Sequence, residues 1–213
     1  MPTPPHSPIL HAHALGFAYP GEPALIGDWS ATIDPGVTLL HGDTGSGKST
    51  LLRVLAGALP AAAGRLTLAG IELRDDAATY RRKVFFCEPA TEAFDQVSTR
   101  QCTATLSEGD EGFDEPAWQQ LTEGFALTPH LDKPLYMLST GSKRKVWLAA
   151  ALASGRSMVL LDEPTGALDA ASVRCLWAAL GRAALRSDRA VVLASAERVT
   201  QVPLAATIEL PAR

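Results

Sequence analysis

The chain of 213 residues has no apolar run long enough to cross a membrane. Its longest candidates, around Trp147 to Ala153 and Met158 to Leu161, fall far short of the roughly 18 residues that a span requires. If a membrane matters to this protein, another chain supplies the crossing. Cysteine is scarce: Cys87, Cys102 and Cys175 are odd in number, widely spaced and without a CxxC pair. That argues against a zinc site or a disulfide framework and for buried, reduced thiols in a cytosolic protein. Positive charge is not in excess either, with 19 Lys and Arg against 23 Asp and Glu and a pI near 5.7. Charge therefore suggests no nucleic-acid partner. The opening MPTPPHSPILHAHALG lacks the basic stretch and apolar run of an export signal. Its His6, His11 and His13 read as surface residues.

What is present is a folded chain, 46% hydrophobic, long enough for one core or for one core with an inserted lobe. No internal repeat is evident. HALGFAYPG and SATID look like short strands divided by Gly and Pro turns. VTLLHG (37–42) is a buried-strand candidate, and KSTLLRVLAGAL (48–59) carries Leu51, Leu52, Leu55 and Leu59 at helical spacing. GRLTLAGIEL (64–73) suggests a strand or hairpin, and KVFFC (83–87) a further buried strand. From Glu88 to about Gly155 the pattern turns helical, with segments near 116–125 and 142–153. SEGDEGFDEP (107–116) reads as a solvated acidic loop, because nothing fixes its carboxylates at one point. SMVLLDE and AVVLAS return to buried strands. The spacing predicts an α/β core, about 1–88 and 156–213, interrupted by a mostly helical lobe over 89–155.

The segment GDTGSGKST comprises Gly42, Asp43, Thr44, Gly45, Ser46, Gly47, Lys48, Ser49 and Thr50, and satisfies GxxxxGK[ST] between an apolar strand and a helix. Its glycines let backbone N–H groups turn around a phosphate, and the helix start adds its dipole. Lys48 suits the β and γ phosphates, and the Ser49 hydroxyl suits Mg2+. MVLLDEP brings a carboxylate to the carboxyl end of a second strand, where open α/β sheets bind ligands. There Asp162 would hold Mg2+ and Glu163 would orient or deprotonate the attacking water.

Between these motifs stands LSTGSKRKVWLAAALAS (138–154), and at this point the chain resembles the nucleotide-binding domain of ATP-binding cassette (ABC) proteins, whose LSGGQ signature opens a helix before the Walker B strand. LDEPTGALD (161–169) is similar to the Walker B and D-loop run, with Asp169 at the D-loop position. Tyr19 in FAYPG matches the family's adenine-stacking aromatic residue. The resemblance implies a RecA-like P-loop core with N-terminal antiparallel strands and an inserted helical subdomain. Independently of the name, Ser139 suits an N-cap, and Gly141 exposes backbone N–H groups at a second anion site. Lys143, Arg144 and Lys145 in that first turn oppose the helix dipole, which favours a nearby anion. In the family two such domains pair head to tail over ATP, which implies a homodimer or heterodimer here. Thr140 and Ser142 depart from LSGGQ.

Two further departures concern the γ-phosphate. The family's Q-loop glutamine is replaced by Glu88, which either ligates Mg2+ or turns to solvent; Gln96 and Gln101 lie too far along to substitute. The family's switch histidine, after the strand resembling AVVLAS, is replaced by Ala196. Losing one charge-assisted hydrogen bond costs about 1.5–3 kcal/mol, which in the transition state slows hydrolysis roughly tenfold to a few hundredfold. Ser195 and Arg198 are the nearby candidates to compensate, although alternation turns Ser195 away. His41 is expected to pack beside the phosphate-loop strand.

The resemblance implies an ATP-binding transporter subunit, an attenuated Mg2+-dependent ATPase. It would dock a separate transmembrane permease, peripherally on the cytoplasmic face of the inner (plasma) membrane. The compact size, with no appended regulatory domain expected, suits a minimal subunit of an exporter-like system. The alternative is an ATP-gated structural or regulatory subunit with little or no hydrolysis, for which Glu88 and Ala196 speak. A soluble ABC ATPase working on nucleic acid or ribosomes fits less well, since no second cassette or long helical insertion is present.

Overall fold

Alternation along the central strands sets the architecture. In a computed structural model describing residues 7–86, 88 and 91–211, five strands form a parallel sheet in the order β6-β7-β8-β3-β9. These are β3 (Gly36–His41), β6 (Val84–Phe86), β7 (Met158–Asp162), β8 (Ala190–Ser195) and β9 (Ala206–Glu209). Val159 and Leu161 of β7, with Val191 and Leu193 of β8, join one buried cluster; Met158, Leu160, Ala190, Val192 and Ala194 join the other. Both faces are covered, which is why these strands read as unbroken apolar runs.

The cluster on one face takes in helices α5 (Thr140–Ala153) and α6 (Ala170–Ala183), with α3 (Thr99–Leu106) packed on α5 and α4 (Glu115–Gly124) on both. The other meets α1 (Lys48–Leu55) and an antiparallel sheet of order β2-β1-β4-β5. Those strands are β1 (Leu10–Phe17), β2 (Ile26–Ile33), β4 (Ala63–Leu68) and β5 (Ile71–Glu72). Helix α2 (Ala77–Arg82) closes the end of α1: the Tyr80 hydroxyl donates to Leu55 O at 2.8 Å and Arg81 Nε to Gly57 O at 2.9 Å. The α/β class with an antiparallel N-terminal sheet and a helical lobe agrees with the sequence.

Several local expectations need correction. Helix α1 ends at Leu55, short of the periodic run to Leu59, and β1 and β2 begin earlier than their segments suggested. Cys87 and His6 lie outside the described residues. The acidic loop is not simply solvated. The Asp110 side chain is 4% exposed and accepts from Ser154 Oγ at 2.6 Å and Gly155 N at 3.1 Å, with Arg156 at 3.9 Å. Asp114 caps α4 through Ala117 N. Asp110 thus ties its own loop to the end of α5. There Arg189, buried and held below the usual arginine range at about 10 chiefly by desolvation, donates to the Ser154 carbonyl.

Candidate functional site

Strand register decides what meets at the carboxyl edge. Asp162 pairs with Ala194, and Ala194 with Leu40, so one residue on Glu163, Ser195 and His41 lie level. Since β8 runs between β7 and β3, Ala196 emerges between Glu163 and the phosphate loop.

The loop itself is built for close approach. A Cβ at Gly42 would lie 2.7 Å from Ser46 Oγ and 3.1 Å from Leu210 Cβ. Gly45 and Gly47 have φ of 86° and 98°, a left-handed backbone that glycine adopts without strain. Gly47, the N-cap of α1, offers no side chain to the first-turn amides, so the helix start is left for a ligand. Asp43, Thr44, Gly45 and Ser49 are exposed, whereas Ser46, Lys48 and Thr50 are buried. The Thr50 hydroxyl is 3.1 Å from Tyr19 Oη, and the Tyr19 ring meets Phe17 edge-on at 4.9 Å. Tyr19 therefore stands beside the start of α1.

Lys48 Nζ donates to Gly42 O at 2.7 Å and Asp43 O at 3.1 Å, and lies 3.5 Å from Glu163 Oε1. An ammonium has three donors, so an incoming phosphate competes with those two carbonyls and with Glu163. Glu163 Oε1 also accepts the Ala196 N–H at 2.9 Å. The small strand end thus contributes a backbone amide at the position where the resemblance implies an imidazole. Ser195 Oγ accepts Glu197 N–H at 3.0 Å, and Arg198 pairs with Glu209 at 3.1 Å, so both are engaged elsewhere. His41 Nδ1 lies 2.6 Å from Glu209, which His41 and Arg198 hold below the usual carboxylate range.

The residues fit a divalent cation in one respect. Asp162 Oδ1 is buried without a hydrogen-bond partner among the described residues, on the sheet face shared with Leu160, which α1 covers. The exposed Ser49 hydroxyl lies in the first turn of that helix. Glu88 instead accepts from Arg53 Nε at 2.8 Å. Arg53 follows Ser49 by four residues, so this carboxylate is drawn about one turn along α1. Gln101 closes a capping box on Ser98 and takes no part in the site.

Ser139 caps α5, its Oγ accepting Ser142 N–H at 3.2 Å. Gly141 has a steric reason that the sequence did not disclose: a Cβ there would lie 2.3 Å from Ala167 O. The basic turn after it is answered within the chain and not left for an external anion. Lys143 reaches Asp95 at 2.5 Å, Lys145 reaches Asp169 at 2.6 Å, and Arg144 Nη1 donates to the Glu163 carbonyl. Asp169 caps α6 through Ser172 N and is held well below the usual carboxylate range by Lys145, then by Ser172. Sequence reasoning missed two participants. Arg144 was visible only as one member of a basic turn, and the Ala196 amide carries no side-chain signal.

Comparison with known proteins finds relatives over most of the chain. The ABC transporter family model matches residues 26–166. The chain is 34% identical over 181 residues to the cobalt import ATP-binding protein CbiO of Rhodobacter capsulatus, covering 80% of this chain and 64% of that protein. It is 33% identical over 207 residues to the cytochrome c biogenesis ATP-binding export protein CcmA of Rhodospirillum rubrum, covering 97% of this chain and 88% of that one. The fold matches a solved ATP-binding subunit of an ABC transporter with a TM-score of 0.77 at 21% identity, covering 87% of this chain and 79% of the other.

Proposed function

The chain belongs to the ABC transporter family, and on that premise we propose that it is an ATP-binding subunit that hydrolyses Mg-ATP slowly to drive a separate transmembrane protein. The observation that carries this reading is the meeting of Lys48, Glu163 and Ala196 at one sheet edge. In this reading the phosphate loop and Lys48 hold the β and γ phosphates, and Tyr19 offers its ring to the base. Ser49 and Asp162 would hold magnesium, which supplies charge neutralisation on the phosphate oxygens. Glu88, paired with Arg53, is left out of that set. Glu163 is the general base. Its Oε1 takes the Ala196 amide, so Oε2 is the atom left to receive a proton from the attacking water.

The segment 89–155 then serves as the lobe that presents Ser139 and Gly141 to the phosphate loop of a second, identical or homologous domain. Residues 1–88 and 156–213 serve as the nucleotide core. No helix among the described residues is long and apolar enough to cross a membrane. The transmembrane protein is therefore a partner in this reading, with the subunit docked at the cytoplasmic face.

Phosphate release with Mg-ATP, followed across protein concentrations, tests the pairing. Release per chain should rise with concentration and then saturate, as a two-domain site requires. Release per chain that is independent of concentration over a hundredfold dilution would overturn the dimer. Absence of release under all conditions, with ATP bound, would favour the ATP-gated regulatory subunit.

A further inference from the structure

Glu163 and Ala167 have φ of 42° and 59°, left-handed backbone at two non-glycine residues of one loop. Each such residue is strained and persists only where its surroundings hold it. Strand β8 holds the start of this loop, the Glu163 N–H donating to Ala194 O at 3.0 Å, and one face of α5 holds the rest. Gly141, Arg144 and Lys145 stand at i, i+3 and i+4, so they share a side of the helix. Each meets the loop: Gly141 lies against Ala167 O, the Arg144 guanidinium donates to Glu163 O, and Lys145 pairs with Asp169. Gly166 N–H also donates to Glu163 O, at 3.1 Å, and a Cβ at Gly166 would stand 2.7 Å from Arg144 Nη1. The Arg144 head group is therefore seated against the peptide that carries the base. At the other end of the same residue the carboxylate is held by the Ala196 amide.

We propose that Arg144 is a positioning residue, one half of a two-point clamp on Glu163. Its guanidinium fixes the Glu163 carbonyl while the Ala196 backbone amide fixes the carboxylate. This rests on the reading of Glu163 as the base. The clamp gives the strand end without a histidine a means of aiming that base, and it links the helix capped by Ser139 directly to it.

The test reads the nucleotide-free chain, through the exchange rate of the Ala196 amide proton measured by NMR. Ala196 is exposed, so its bond to Glu163 is what slows exchange. Exchange in the parent should be slower than in Glu163→Ala by about tenfold. Arg144→Met should move it most of the way to the Glu163→Ala rate, and Arg144→Lys should restore much of the protection. Gly166→Ala disturbs the same contact from the other side, by crowding the guanidinium, and should also speed exchange. The amides of Val191 to Leu193, buried in β8, report whether the sheet stays intact.

Ala196 exchange in the parent as fast as in Glu163→Ala overturns the clamp. So does unchanged protection in both Arg144→Met and Gly166→Ala. None of these readings requires turnover, so a chain that never hydrolyses ATP would sink the proposed function and leave the clamp to be judged on its own. In a chain that does turn over, Arg144→Met should lower kcat about tenfold with KM for ATP unchanged. A raised KM at unchanged kcat would contradict the clamp.

Discussion

The starts of α1 and α5 look alike in sequence, each a glycine-bearing turn that opens a helix, but they are finished in opposite ways. At α1, Gly47 brings no side chain to the first turn and no acidic residue stands in it, so its amides remain for a ligand. At α5, Ser139 caps Ser142, and Lys143, Arg144 and Lys145 are answered by Asp95, Glu163 and Asp169. The first is left open at its N-terminus, where the proposed function places the phosphates. The second is fastened to the loop that carries Glu163, so an anion arriving at the exposed Ser139 and Thr140 would act on a helix already joined to that residue.

The comparison can be broken most severely at Lys48. Replacing it by Ala removes a charge-assisted contact worth about 1.5–3 kcal/mol, and calorimetry with Mg-ATP should show roughly a tenfold to hundredfold loss of affinity. Lys143→Ala should leave affinity within about twofold, because its charge already serves Asp95. Equal losses in the two variants would erase the distinction.

A smaller effect is expected at the α5 cap. Ser139→Ala should lower unfolding stability in denaturant by about 1 kcal/mol, with the affinity of the isolated chain for ATP unchanged. No loss of stability would mean that the cap is not made in solution. Smallest is the acid response of the Lys145 contact. Asp169 is held below its ordinary value when folded, so the unfolded chain binds more protons near pH 4. The stability that the pair contributes is present above about pH 4 and lost as pH falls through the lower folded value. Asp169 is exposed, so the change is modest. Lys145→Ala should shallow the fall in Tm between about pH 6 and pH 3, and an unchanged slope would contradict the pairing.

Much of the frame was legible because burial on both sheet faces leaves a mark in composition. VTLLH, MVLL and AVVLAS stand out as strands for that reason, and the order of motifs along the chain placed Lys48 and Glu163 near one edge. Other elements left a weaker mark. Helix α2 with six residues and β9 with four carry too little apolar periodicity to stand out, whereas α6 buries Leu176, Ala179, Leu180 and Ala183 at helical spacing and went unread. Helix α3 is polar and begins at a capping box that went unread. Which carboxylate in SEGDEGFDEP would be buried depends on Arg156 and Ser154, more than 40 residues on. The partners of the basic turn, 19 to 48 residues from it, were hidden for the same reason. The Ala196 amide is a backbone contact, and its meaning appears only when the register of β7, β8 and β3 is known.

The most direct measurement is steady-state phosphate release with Mg-ATP from the parent, Glu163→Gln and Ala196→His. Loss of a general base should lower release by about 10²–10⁴-fold in Glu163→Gln. Ala196→His, which keeps the backbone amide and adds an imidazole, should raise release by about tenfold or more. A parent no faster than Glu163→Gln, with Ala196→His equally inert, would contradict the account of a slow but working ATPase.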